Sequence, residues 1–318
     1  MNPENLFSAT IASHSLVALH SIGVLEYMKL KGSVNIDNLH LTFPSINKPA
    51  VQAALVSLSF VNLVEYKNGI FSFTRDGIKV LESIGEFNLW LKAYANLYPK
   101  IEDIILDKAK VNYTDINSQC VAISSAEIGV NKVDNYLFEI LDSLDCIGSI
   151  CDLGCGSGKR IHSICERKKT NGLGIDISED AILFANENYR VVENEVKLKF
   201  YKEDVTRLKG SYPEVGILLQ TFMTHHIIPE KHCSDVFISY KTNFPNAKYF
   251  IILDTVWPEK ISNNPELFTS GFLLMHGLQG LVPRVKKDMY KIFELSNFEL
   301  LQEVKLGVPN SYLWLLKI

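Results

Sequence analysis

Two stretches of the chain hold residue types whose spacing suits chemistry. In the first, Asp152-Leu153-Gly154-Cys155-Gly156-Ser157-Gly158 follows an apolar run and leads into a helical pattern through Ile161 and Ile164. Alternate glycines let a backbone turn sharply and remove the Cβ atoms that would keep a cofactor away from the main chain. Two nucleotide-phosphate motifs fail here. A G-x-G-x-x-G loop counted from Gly154 needs glycine where Lys159 stands, and a P-loop ending at Gly158-Lys159 needs glycine at Leu153 and Ser or Thr at Arg160. In the second stretch, Leu219-Gln220-Thr221-Phe222-Met223-Thr224-His225-His226 carries an apolar segment into adjacent histidines. Imidazoles there could move protons near neutral pH or bind a metal through a neutral ring nitrogen. His276 lies in an apolar helical stretch, where a lone histidine is ordinarily a satisfied core residue, and Asp254 reads as a strand-end acid or as a carboxylate near the same mouth.

The elements that must position these residues alternate. Apolar runs at 148–153, 172–177, 196–201, 215–220 and 248–253 predict strands, and the helical stretches between most of them predict a parallel sheet with helices on both faces. Ligands of such sheets bind beyond the carboxyl ends of the strands, which is where the glycine loop and the histidine pair fall. Strand patterns at 298–306 and 312–318 are joined only by Gly307-Val308-Pro309-Asn310-Ser311, so the last strand should run antiparallel. Earlier in the chain, helical periodicity runs through Leu16, Leu25, Met28, Val51, Leu55 and Leu58. Two apolar runs then flank Lys67-Asn68-Gly69, a strong hairpin signal. Helices followed by a hairpin predict a winged helix over residues 1–85. Helical patterns at 86–110 and 131–144 predict a connector over 86–145 that roofs a pocket, ahead of an α/β, Rossmann-like domain over 146–318.

The Asp152–Gly158 motif and the terminal antiparallel pair resemble those of class I S-adenosylmethionine-dependent methyltransferases, whose first motif is an acid followed by G-x-G-x-G. The resemblance implies a cofactor site containing Asp152, Gly154, Gly156 and Gly158. It also implies that Asp176, ending the second strand, binds the ribose hydroxyls. Asp204 would take the adenine amino group, Ile177 and Val205 would be apolar plates around the ring, and Gln220 would border the cofactor at the end of the fourth strand.

The fourth-strand loop is similar to that of small-molecule O-methyltransferases with a winged-helix dimerisation domain. Their loop typically reads His-Asp-Trp, with the histidine as general base. His225 takes that place, while His226 and Ile227 depart from the pattern. Together, His225 and a histidine about fifty residues later resemble the metal-dependent α-keto acid C-methyltransferases of the 2-ketoarginine and phenylpyruvate type. That likeness implies a divalent metal held by His225 and His276, with His226 as third ligand, orienting group or proton acceptor. Fe(II), Zn(II), Mn(II) and Co(II) all suit nitrogen and oxygen ligands. A Lewis acid on a keto oxygen stabilises the enolate needed for attack from the β carbon. The alternative is metal-free O-methylation with His225 as base. Arg284, Lys286 and Lys287 could meet a carboxylate or form a solvated basic turn, and Glu102, Asp103 and Asp107 could meet a guanidinium.

Composition narrows the partners. The 318 residues carry 32 Lys and Arg against 36 Asp and Glu, a formal charge of -4, which opposes phosphate neutralisation along a duplex. Residues 1–85 balance six basic against six acidic residues, and the helix from Lys48 onward is nearly uncharged, so it suits homodimerisation rather than DNA reading. A DNA-binding regulator with a degenerate methyltransferase domain is also disfavoured by the intact acid, glycines and Asp176. The start lacks a basic n-region, and His14 and His20 break the apolar stretch. Neither a signal peptide nor a membrane span is expected, and the chain reads as cytoplasmic. The six cysteines, Cys120, Cys146, Cys151, Cys155, Cys165 and Cys233, show no Cys-x-x-Cys pair and read chiefly as small apolar fillers.

Overall fold

Asparagine caps start several of the helices. In the computed structural model, which describes residues 2–144, 148–189, 196–261 and 266–318, Asn2 Oδ1 accepts from Asn5 N to open the Pro3–Ser21 helix, and Asn47 does the same for Lys48–Ser59. Cys146 and the boundary expected at 145/146 lie outside the described residues. Two compact units meet at Ala95 and Asn96.

In the first unit, β1 (Val34–Asn35), β2 (Val64–Lys67) and β3 (Ile70–Phe73) form an antiparallel sheet in the order β1-β3-β2. The hairpin turns at Asn68-Gly69, both with positive φ, the two-residue geometry that this pair favours. Leu16, Leu25, Met28, Leu55, Leu58 and Phe71 are buried together beneath it.

Where one helical run was expected over 86–110, the chain instead passes through four short pieces: Ile84–Phe87, a π-helical Asn88–Ala93, a 3-10 Ala95–Lys100 and Ile101–Ile105. Pro99 lacks an N–H and disfavours the α conformation in Tyr98, so a continuous helix cannot form. The division between the units falls inside this run. The helix expected from residue 131 is Asp134–Ser143, preceded by a longer one, Ser118–Lys132, capped by Asn117.

The second unit holds a seven-stranded sheet of β4 (Ser149–Leu153), β5 (Gly172–Asp176), β6 (Leu198–Lys202), β7 (Val215–Thr221), β8 (Tyr249–Thr255), β9 (Glu299–Lys305) and β10 (Ser311–Lys317). Their order is β6-β5-β4-β7-β8-β10-β9. β4 to β8 are parallel, whereas β10 runs antiparallel to both neighbours, as the short link requires. Every residue of β4 and β7 is buried, the signature of strands covered on both faces. Trp314, Tyr240, Phe237 and Phe250 fill the core on one side. Cys151, Cys155 and Cys233 are also buried, and burial raises all three thiols, that of Cys233 to about 12. Among the described residues no single helix is long and apolar enough to cross a membrane.

Strand order reverses between β4 and β7. The chain leaves β4 for β5 and β6 on one side and for β7 and β8 on the other, opening a crevice at the carboxyl ends. Asp152 is in register with Leu219, so the loops after β4 and β7 emerge side by side.

Candidate active site

The loop after β4 is pinned from β5. Gly154 N and Cys155 N donate to Ile175 O, while Gly156 N donates to Asp176 Oδ2 at 2.9 Å and Ser178 N to Asp176 Oδ1 at 2.8 Å. Asp176 thus anchors the glycine loop as well as ending its strand, and each oxygen keeps a lone pair for a further donor. Gly156 (φ +52) faces open space, with no atom within 4 Å of where a Cβ would stand. Gly158 (φ +78) is closed in, since a Cβ there would lie 2.6 Å from the Phe200 ring. Asp152 is buried, and its Oδ1 has no hydrogen-bond partner. Burial raises its carboxyl to about 7 against the pull of Arg160. An open glycine cradle beside an unpartnered buried acid fits a cofactor with a cationic or donor-rich end. Asp204 Oδ1 accepts from Thr206 N and Oγ1, Val205 is buried beside it, and Ile177 is 63% exposed.

Across the crevice, Thr224–His226 forms one 3-10 turn after β7. Phe222 enters it with φ +51, a strained choice for a bulky side chain and one met at functional sites. Asp254, near the end of β8, reaches the turn twice. Its Oδ2 accepts from His225 N at 2.8 Å, and its Oδ1 lies 2.5 Å from His225 Nδ1. His276, in the Leu267–Leu278 helix, places Nδ1 2.7 Å from Phe272 O, a carbonyl that can only accept. With Nδ1–H thereby assigned on both rings, the two Nε2 lone pairs converge, 3.1 Å apart. Burial, then His225, depresses the His276 pKa to about 3, so that ring is neutral and available as a donor of electron pairs. His226 is exposed, yet desolvation followed by the two neighbouring imidazoles holds its pKa well below the ordinary value.

One ligand atom from each of His225, His226 and His276 lies within 4.8 Å of the others. Nitrogens bound to one ion at about 2.1 Å stand roughly 3.0 to 3.4 Å apart, so the Nε2 pair fits a shared cation. Outer nitrogens held by a carboxylate and a carbonyl are the usual support of metal-bound histidines.

A family profile described as "Methyltransferase domain" matches residues 147–295. The chain is 34% identical over 315 residues to indolepyruvate C-methyltransferase of Streptomyces griseus, covering 99% of this chain and 94% of that one. This is a class I S-adenosylmethionine-dependent methyltransferase. The methyltransferase also shares its fold with human N-acetylserotonin methyltransferase solved with its cofactor (TM-score 0.71, 14% identity, 99% and 96% covered). The crystal structure of "a putative O-methyltransferase" from Nostoc punctiforme PCC 73102 matches at TM-score 0.76 with 12% identity and both chains fully covered.

Several residues of the methyltransferase stand elsewhere than sequence suggested. Gln220 is fully buried and accepts from Thr224 Oγ1 at 2.7 Å, bracing the histidine turn from inside the sheet. Arg284 is buried rather than set in a solvated turn, and its guanidinium donates to Thr224 O and Ile227 O. Lys286 is 3.1 Å from Glu303, whose pairing raises its pKa, and is not available to hold a substrate carboxylate. Glu102 and Asp103 are exposed on a short helix that packs near Leu267–Leu278. The orienting role of Asp254 was only half visible in the sequence. A strand-end acid beside a histidine loop was the one signal.

Proposed function

We propose that this methyltransferase forms a carbon–carbon bond at the β carbon of an α-keto acid, using a divalent metal ion held by His225 and His276. The observation that carries the reading is the pair of Nε2 lone pairs converging at 3.1 Å with both Nδ1 atoms engaged behind them. Two facing lone pairs at that distance need either a shared proton or a metal ion between the rings, and the third histidine beside them suits a metal ion. A metal-free base mechanism would need His225 Nε2 open to an acceptor hydroxyl, and His276 covers that direction. The S. griseus relative is named for indolepyruvate, itself an α-keto acid, and for C-methylation.

When bound, the ion would polarise the keto oxygen and so acidify the β C–H. The protein's own groups do the rest. Asp254 fixes the tautomer and plane of His225, and Phe272 O does the same for His276. His226, exposed and neutral, is placed to accept the β proton. The carbon then attacks the sulfonium methyl, forming C–C as S–CH3 breaks and the thioether leaves. The glycine loop and the entry to the histidine turn come close where a Cβ on Gly154 would lie 3.2 Å from Met223 Cγ, which supports locating this exchange in the crevice. Residues 1–85 are proposed as a winged-helix dimerisation domain, supported by Leu6, Phe7, Leu30, Leu41 and Phe60, all more than half exposed in the single chain.

A panel of indolepyruvate, phenylpyruvate and 2-ketoarginine with isotope-labelled cofactor tests the assignment. The expected product carries the label on the β carbon by NMR. Transfer only to hydroxyl oxygens of phenolic acceptors would contradict it.

A further inference from the structure

The geometry points to Arg284 as the positioning residue that holds His225 at its working distance from His276. This rests on the reading of those histidines as the reactive centre. Nη1 donates to Thr224 O at 2.9 Å and Nη2 donates to Ile227 O, so one planar guanidinium grips both ends of the turn carrying the histidine pair. Its Nε stands 3.6 Å from Glu230, the first residue of the next helix, which supplies the opposite charge. The residue is only 5% exposed, and a buried guanidinium is retained where its fork geometry is used.

The main chain of its segment ties down the other two parts of the site. Arg284 O accepts from Trp257 N at 2.7 Å, just beyond Asp254 on the exit from β8. The segment bearing Arg284 leaves the Leu267–Leu278 helix through Leu281, whose N–H donates to His276 O at 2.8 Å. The 281–284 segment therefore joins the parts of the chain that carry His225, Asp254 and His276, and Arg284 supplies its bonds to the His225 turn and to the exit from β8. A lysine reaches as far but offers a point charge, and cannot present two parallel donors in a fixed plane.

The test uses full-length protein labelled with 15N-histidine, as Arg284→Lys and Arg284→Gln. In both variants the imidazole resonances of His225 and His276 should shift, while that of His162, whose ring lies tilted against Tyr189 with centroids 5.1 Å apart, should not. Turnover should fall about tenfold or more, the usual effect of losing a support behind a site histidine, with KM for S-adenosylmethionine unchanged. Unmoved His225 and His276 resonances with turnover close to wild type would overturn the proposal. Hydrogen exchange on the unmodified enzyme keeps the claim testable should neither variant fold. The amides of His226 and Ile227 should be as protected as those of β7, and fast exchange there would also overturn it. Co(II) titration of the unmodified protein judges the metal reading separately. No binding would contradict that reading, while the resonances would still decide the role of Arg284.

Discussion

Asp152 and Asp254 are both buried acids at the carboxyl ends of strands, yet they are set up differently. Asp254 spends its oxygens on His225 and on Thr255 N, whereas Asp152 leaves Oδ1 without a partner and has its carboxyl raised to about 7 by burial. The folded protein without cofactor therefore holds a proton on Asp152 that an unfolded chain releases near pH 4. Between about pH 4 and 7 the folded state binds more protons, so this group's contribution to stability is present in acid and is lost as pH rises through that window. In thermal scans of cofactor-free protein, Asp152→Asn should gain stability relative to wild type at pH 8 and not at pH 4. A difference that does not vary with pH would show that Asp152 does not titrate as described. At this scale the sequence shows what is local. A glycine with positive φ or an acid at a strand end can be read from its neighbours. The Arg284 grip cannot, because its two carbonyl partners lie 60 and 57 positions away.

The glycine loop behaves as an element, because its residues face different surroundings. An alanine Cβ at Gly158 would collide with Phe200 at 2.6 Å and Ala185 at 2.9 Å, and should cost about 1 to 3 kcal/mol in overpacking on top of the left-handed backbone. At Gly156 only the backbone cost of about 1 to 2 kcal/mol applies, since the Cβ would enter open space, where the proposed cofactor would lie. Gly158→Ala should therefore lower the melting temperature more, while Gly156→Ala should weaken cofactor binding out of proportion to its small loss of stability. Calorimetry on both would show it, and equal effects on melting would contradict the assignment of the open face. Strands were legible because buried parallel strands are short apolar runs bounded by turns. The 84–105 region was not, since Pro99 breaks a pattern that periodicity alone reads as continuous. Ser118–Lys132 was missed because its apolar positions, Val121, Ile123, Ile128 and Val130, form no clean stripe.

For the molecule as a whole, the dimer proposed through residues 1–85 would cover apolar side chains that the single chain leaves exposed. Sedimentation should show a dimer for the full chain. Replacing Leu6 and Phe7, 61% and 68% exposed, by aspartate should shift it toward monomer with the fold retained, whereas an unchanged dimer would place the interface elsewhere. On the proposed mechanism, activity depends on His225 and His276 sharing a cation. The decisive measurement is methyl transfer to the keto acid by protein stripped with a chelator and verified by elemental analysis. The stripped enzyme should still bind S-adenosylmethionine, because Asp176 and the glycines lie on the other side of the crevice. It should lose turnover and regain it on adding a divalent metal, and His225→Ala and His276→Ala should lose metal and activity together. Full-rate β-carbon methylation by verified metal-free protein would contradict the metal-assisted mechanism.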